Sequence, residues 1–414
     1  MTPGLTTQRR LAAAAVGIAL NVAGCGADAP AGPSSLSPTT TLGADAEPQV
    51  SAGSGAPADT AAPPDVTGNV TGVAVSETTD VATGLAAPWD AVFAADGSIL
   101  VTERDAGRIV RVVDGEATPL GGPGARALAS AVDATGEAGL LGIALHPDDP
   151  SLLYVYLTRG DGNAVVSMGL DGDSLTEPVD VIAGIPKARN HDGGRIAFGP
   201  DGFLYVATGD AAQPQLAQDR DSLAGKILRV VADGGSADGD AAPDNPFGTR
   251  VWSWGHRNVQ GLAWLPDGTM VASEFGQSDA DELNVIVPGA NYGWPTVEGL
   301  IGAPDGTALG ETVDGLTYPV AEWRPTSAAS PSGIAATEAG VFVAALRGEA
   351  LFWVPMDAGE AGEPVVILDD IGRVRAAVTD SEGTLYALTN NTDGRGSPDA
   401  GDDRLVRIDL DVQR

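Results

Sequence analysis

The sequence predicts an all-β protein, folded as a six-bladed β-propeller. Two observations carry that prediction: a hairpin pattern that recurs six times, and the near absence of helical periodicity. Each copy runs as a short apolar strand, a Pro-Asp-Gly-like turn, a second apolar strand, a loop, and a third strand often ending near an arginine. Asp-Gly between alternating apolar runs is a strong hairpin signal. Spacings of roughly 43 to 72 residues leave each copy enough chain for a four-stranded blade with inserted loops.

The copies follow in order. The first is Trp89-Asp90-Ala91-Val92-Phe93, then Asp96-Gly97, Ile99 to Thr102 and Arg108 to Val112. The second centres on His146-Pro147-Asp148-Asp149. The third has Gly199-Pro200-Asp201-Gly202 before Leu204-Tyr205-Val206-Ala207, and the fourth Leu265-Pro266-Asp267-Gly268. Looser fifth and sixth copies centre on Thr337-Glu338-Ala339-Gly340 and Asp380-Ser381-Glu382-Gly383. The last strand, Arg404 to Ile408, is expected to close the ring beside the first blade. A site is expected at the axis, where blade loops converge.

The propeller is expected to occupy residues 74–414, about 340 residues and ample for one large domain. Ahead of it, residues 1–25 read as a targeting segment. Arg9-Arg10 supply the positive region, Leu11 to Val22 an apolar stretch too short for a membrane span, and Val22-Ala23-Gly24-Cys25 a lipobox-like cleavage site. Cys25 is the one cysteine, which excludes an internal disulfide and marks it as the lipidated first residue of a mature bacterial lipoprotein. Residues 26–73 are mostly Ala, Pro, Gly, Ser, Thr and Asp, with no aromatic and no basic residue and too little apolar surface to order, and read as a tether. The expectation is an extracytoplasmic protein, bound to the membrane through that lipid alone. Gln8-Arg9-Arg10-Leu11 leaves general and twin-arginine export both open.

Against 23 Lys plus Arg stand 56 Asp plus Glu, a formal net charge of −33. Such a chain is a poor partner for nucleic acid or anionic lipid, and any local group of arginines stands out.

Four constellations could carry chemistry. His191, one of three histidines, opens His191-Asp192-Gly193-Gly194-Arg195, and Asp210 ends Tyr205 to Asp210 nineteen positions later. An imidazole is an effective base near neutral pH when a carboxylate on its other nitrogen fixes tautomer and direction. The alternative is a loop histidine bonded to backbone beside an unrelated turn aspartate. In Trp252 to Leu262, Arg257 among aromatics and glycines either meets an anion or closes a structural ion pair. Glu274 to Asn284, followed by Gly289 to Pro295, is dense in carboxylates and turn carbonyls. It suits either a hard cation such as Ca²⁺ or a solvated acidic loop. Arg373-Val374-Arg375 alternates on a strand, which aims both guanidiniums one way, either at a multiply anionic ligand or along a surface of paired charges. Arg347 adds a third cation. No His/Cys set has zinc-like spacing.

Taken together, these residues resemble the soluble pyrroloquinoline quinone (PQQ) dependent sugar dehydrogenases of the glucose/sorbosone type, a six-bladed propeller family. The resemblance spans about Gly84 to Ile408 and rests on motifs in one order: Gly136 to Gly142, His191 to Arg195, Thr208-Gly209-Asp210, Gly255 to Asn258, Glu274-Phe275-Gly276, Asn291 to Pro295, and Arg373-Val374-Arg375. It implies that His191 takes the sugar C1 hydroxyl proton and that Asp210 orients it. It implies substrate contacts at Glu137 and Asp192, and cofactor contacts at Arg257, Asn258, Arg347, Arg373 and Arg375, with Arg257 beside the reactive quinone carbonyl. The carbonyls of Gly276 and Gln277 match backbone ligands of a Ca²⁺, and Asp281 and Glu282 match positions around a further cation. The chain departs from the family in Asp192, where Asn is frequent, in Phe275 for Gln, and in Arg347 for Lys.

The activity implied is oxidation of an aldose at C1 to the lactone. Without a Cys-x-x-Cys-His haem motif, the electrons go to an external acceptor. Two other classes stay open, a calcium-dependent propeller lactonase or hydrolase and a non-catalytic cell-surface binding propeller, because fold alone does not separate them.

Overall fold

The computed structural model describes residues 70–232 and 239–414. The expected targeting segment, Cys25 and the tether up to residue 69 lie outside the described residues. The first strand begins at Gly72.

Six antiparallel blades follow one another. The first is Pro88–Phe93, Ile99–Glu103, Arg108–Val113 and Glu116–Pro119. The second is Leu140–Leu145, Leu152–Arg159, Gly162–Asp171 and Val179–Ile185. The third is Ile196–Phe198, Leu204–Ala207, Lys226–Val230 and Val251–Trp254. The fourth is Val259–Trp264, Met270–Glu274, Asp281–Val285 and Ala321–Trp323. The fifth is Pro331–Thr337, Gly340–Ala345, Ala350–Val354 and Val365–Leu368. The sixth takes Val374–Thr379, Leu385–Thr389 and Leu405–Gln413 from the end of the chain, and Gly72–Ala82 from its beginning. One α-helix, Gly122–Ala131, sits between the first two blades.

All six expected turns are the hairpins joining the first and second strands of a blade. Their chemistry explains the recurring Asp-Gly. The side chains of Asp96, Asp201, Asp267 and Asp380 each accept the backbone N–H two residues on. Gly97, Gly202, Gly268 and Gly383 then take φ between 78° and 89°, a region costly for other residues.

The last strand closes the ring beside the first blade, where Leu405 packs with Val101. Its partner at the sheet edge is Gly72–Ala82, paired from Gly72↔Gln413 to Ala82↔Leu405. A sixth sheet completed from both chain ends hides edges that would otherwise pair with other chains.

Apolar side chains gather between blades. Six clusters fill the six seams; Leu100 and Leu153 join blades one and two, Tyr156 and Leu228 two and three, and Leu405 and Val101 the sixth and first. The inner strands meet one another around the axis, which is left for polar groups. A cavity of about 1230 Å³ opens at the hairpin end, lined by Phe93, His146, Phe198, Trp264 and Tyr386 with Arg195 and Asp90. At the opposite end converge the loops leading into each inner strand and those joining second to third strands.

Leu405 is fully buried in the closing seam. Leu405→Ala should destabilise the fold by about 2–5 kcal/mol, read as a lower denaturation midpoint with unchanged slope. A loss near zero would show that this seam does not hold the ring.

Candidate active site

The site is assembled at the end opposite the hairpins. His191 lies in the loop entering the third blade and Asp210 just past the second strand of that blade, so strand pairing within one sheet brings their loops together. Nδ1 of His191 lies 2.7 Å from Oδ1 of Asp210. Asp210 is fully buried and both its oxygens are held, Oδ1 also by the N–H of Ala212 at 2.8 Å and Oδ2 by the indole N–H of Trp294 at 2.8 Å. A carboxylate fixed at three points cannot rotate away from the ring. His191 keeps 13% of its side chain exposed, and Nε2 has no protein partner among the described residues.

The backbone is shaped to make this contact. His191 itself sits at φ 65°, an unfavourable region for a residue with a side chain. Its N–H donates to Glu137 Oε2 at 3.0 Å and its carbonyl accepts from Ala211 N–H at 3.1 Å. Gly209 is required because a Cβ there would stand 1.9 Å from the His191 carbonyl oxygen.

Arg257 and Asn258 lead into the fourth blade. Their backbone N–H groups both donate to Oε1 of Glu274, whose Oε2 lies 2.9 Å from Nδ1 of His256. His256 is fully buried, stacked on Tyr292 and bonded to Ser253, and so serves as a packing and tethering residue. Arg257 donates to the Phe275 carbonyl at 3.0 Å and lies over the Trp294 ring, 5.5 Å from its centre. Its Nε is buried without a partner, and burial pulls its pKa below the usual arginine value, against the charges of Asp210 and Glu274. Asn258 bridges the site, accepting from Gly193 N–H at 3.0 Å and donating to Glu137 at 3.4 Å.

The other expected residues are placed as follows. Arg375 is buried over the Trp89 ring at 4.4 Å and donates to Gln260 Oε1, leaving Nε unpartnered. Burial, then Arg104 and Arg195 nearby, push its pKa well down. Arg373 instead meets Asp393, the Asn390 carbonyl and the Leu346 carbonyl. The strand register shifts between Val374 and Ala376, and the two guanidiniums have separate hydrogen-bond partners. Arg347 is exposed at the rim. Asp192 is buried beside Glu137.

In the fourth blade, Oε1 of Glu298 gathers the N–H groups of Gln277, Ser278, Asp279 and Ala280. A peptide carbonyl points opposite the N–H that follows it, so those of Gly276 and Gln277 turn away from Glu298. Asp281 accepts from the N–H groups of Gly276 and Ser330, and Glu282 from Gly299 and Asn284. Burial raises the pKa of Asp281 to about 7 and that of Glu282 to about 8. Among the described residues no three His, Cys, Asp or Glu side chains converge as a metal cage.

Sequence reasoning gave Arg104 and Trp89 no place in the site, and named Gln260, Glu274 and Trp294 within motifs without the contacts they make. Arg104, Arg375 and Arg395 line a cavity of about 20 Å³ with Glu137, Asp192 and Asp393. Arg104 follows the second strand of its blade, the position Asp210 and Phe275-Gly276 hold in theirs. Aligning the blades on their Asp-Gly turns would have found it.

A propeller whose axial mouth holds a carboxylate-fixed histidine beside buried, unpartnered guanidinium N–H groups has the makings of an enzyme with a base and an anion-binding floor. The chain belongs to the Glucose / Sorbosone dehydrogenase family, whose model matches residues 85–406; it is an oxidoreductase of the sugar dehydrogenase kind. It is similar to quinoprotein glucose dehydrogenase B of Acinetobacter calcoaceticus, 33% identical over 252 residues that span 51% of each protein. Aldose sugar dehydrogenase YliI of Escherichia coli is 32% identical over 289 residues, 63% of this chain and 76% of that one. Among solved structures, the PQQ-bound aldose sugar dehydrogenase from Streptomyces coelicolor is 44% identical, with a TM-score of 0.73, covering 82% of this chain and 98% of that one.

Gly209→Ala should drive the His191 carbonyl away and loosen the His191–Asp210 contact. The expected cost is about 1–3 kcal/mol of stability and about 10²-fold in kcat, measured by unfolding and by dye-linked sugar oxidation. Normal turnover would show that the close approach of the two loops is dispensable.

Proposed function

We propose that this chain is a PQQ- and Ca²⁺-dependent dehydrogenase that oxidises the C1 hydroxyl of aldoses to lactones and passes the electrons to an external acceptor. The observation that carries this reading is the Nδ1–Oδ1 contact of 2.7 Å, which leaves Nε2 of His191 as the ring's open edge. Nε2 takes the hydroxyl proton, while Asp210 holds the ring and stabilises the imidazolium that forms.

The residues present fit the cofactor. PQQ carries carboxylates and an electrophilic quinone, and the buried unpartnered Nε groups of Arg257 and Arg375 are donors awaiting an anion. When bound, PQQ supplies the two-electron oxidant and Ca²⁺ a Lewis acid. Arg257, Asn258 and Arg375 would hold the cofactor, with Arg373 and Arg347 further out. The Gly276 and Gln277 carbonyls, turned from Glu298, suit a hard cation. Asp281 and Glu282 already accept internal N–H groups, which makes them supports of that loop before they are ligands. Glu137, with its carboxylate on the His191 and Asn258 N–H groups, faces the substrate. The expected lipid anchor at Cys25 would keep the enzyme outside the cytoplasm. A calcium-dependent hydrolase is less well served, because it needs side-chain carboxylates around its cation and such a cage is absent among the described residues.

His191→Ala should lower kcat by about 10²–10⁴-fold while PQQ still binds; unchanged turnover removes it as the base. Replacing Arg257 and Arg375 together by Gln should weaken PQQ binding at least tenfold, a charged hydrogen bond being worth about 1.5–3 kcal/mol. Titration of the metal-free protein with PQQ, with and without Ca²⁺, measures this. Full affinity in the double variant would take the cofactor out of this cleft.

A further inference from the structure

We propose that Asp192 stands in the site as a neutral carboxylic acid, whose Oδ2–H is a hydrogen-bond donor to whatever fills the cavity it shares with Glu137, Gln260 and Arg375. Only the identity of that ligand, PQQ, rests on the function proposed above.

Asp192 is 1% exposed. Its Oδ1 accepts from Asn163 Nδ2 at 3.0 Å and from the N–H of Ala188 at 3.1 Å. Its Oδ2 is buried and receives nothing. An ionised carboxylate spreads charge over both oxygens, and leaving one of them buried without a donor is costly. A protonated carboxyl resolves this, because Oδ1 becomes the carbonyl-like acceptor already satisfied and Oδ2 becomes a hydroxyl.

The surroundings favour the neutral form. Burial is the main influence raising the Asp192 pKa; the Asn163 and Ala188 bonds pull the other way, Glu137 pushes it further up, and Lys187 opposes. Lys187 is itself engaged by Asp133 at 2.8 Å. Tyr156 donates its hydroxyl to the Asp192 backbone carbonyl and not to the side chain. No guanidinium of the same cavity donates to Asp192: Arg375 donates to Gln260 and keeps its Nε without a partner, Arg104 donates to Asp105, and Arg395 is exposed. Asp393, the remaining acid there, pairs with Arg373. His191, next in the chain, directs its ring to Asp210. A neutral donor beside Glu137 lets the cavity receive an anionic ligand where a second carboxylate would repel it.

The protonation is tested without cofactor, by infrared difference spectra of the native protein minus Asp192→Asn. At about pH 6, where an ordinary aspartate is ionised, the difference should show the C=O stretch of a protonated acid. Carboxylate bands in its place would overturn the proposal. Asn163→Ala, which removes a donor from Oδ1, should move the fading of that band to higher pH; an unmoved or lowered midpoint would overturn it equally. For the ligand, PQQ affinity of the native protein should fall about tenfold as pH rises through the Asp192 titration. In Asp192→Asn, whose amide donates at every pH, that fall should vanish. The same fall in both proteins would overturn the donor role, while a cofactor that never binds overturns the function proposed above and leaves the infrared result standing.

Discussion

Packing between neighbouring blades is the constraint on which the rest of the structure depends. A twisted four-stranded sheet has two faces to cover, and in a closed ring each face is covered by the next blade. The apolar side chains therefore leave the axis and gather in six seams. What the axis receives is the polar remainder: Asp90 with Arg195, Gln260, and Arg375 over Trp89. The anion-binding character proposed for the mouth follows from this division, because arginines that stacking and strand packing hold in place cannot fold back onto nearby carboxylates.

Ring closure also fixes distances that no single blade could fix. His191 and Asp210 belong to one blade, but the residues that hold them do not. Glu137 comes from the second blade and Asn258 from the fourth, and both reach the His191 loop. Trp294, from an insertion in the fourth blade, closes the far oxygen of Asp210 and backs Arg257 with the same ring. Pulling the second, third or fourth blade outward would disturb His191, Asp210 and Arg257 together.

Much of this was legible in the sequence where chemistry is local. The Asp-Gly turns mark the hairpins because an aspartate that accepts the backbone N–H two residues on, followed by a glycine at positive φ, needs no distant partner. The motif around His191 was legible for the same reason, since glycines beside a histidine signal a backbone that must come close to something. Less legible were the arginines. Arg373 and Arg375 read as a co-directed pair by strand alternation, yet the strand register shifts between Val374 and Ala376 and the two have separate hydrogen-bond partners. Arg104 carried no motif and was found through its place in the ring.

By itself the sequence determined the fold class, the turn positions, the candidate base and its partner, and the family to which the chain belongs, since each is written in short-range patterns of residue type. Tertiary structure alone decided that Gly72–Ala82 completes the sheet of the last strand, and that Glu274 serves the backbone of Arg257 and Asn258. It also decided that His256 is structural, and that Asp192 keeps one oxygen without a donor. Each of those outcomes depends on hydrogen-bond partners supplied by residues far away in the chain, and a buried polar group takes its character from the partners it finds.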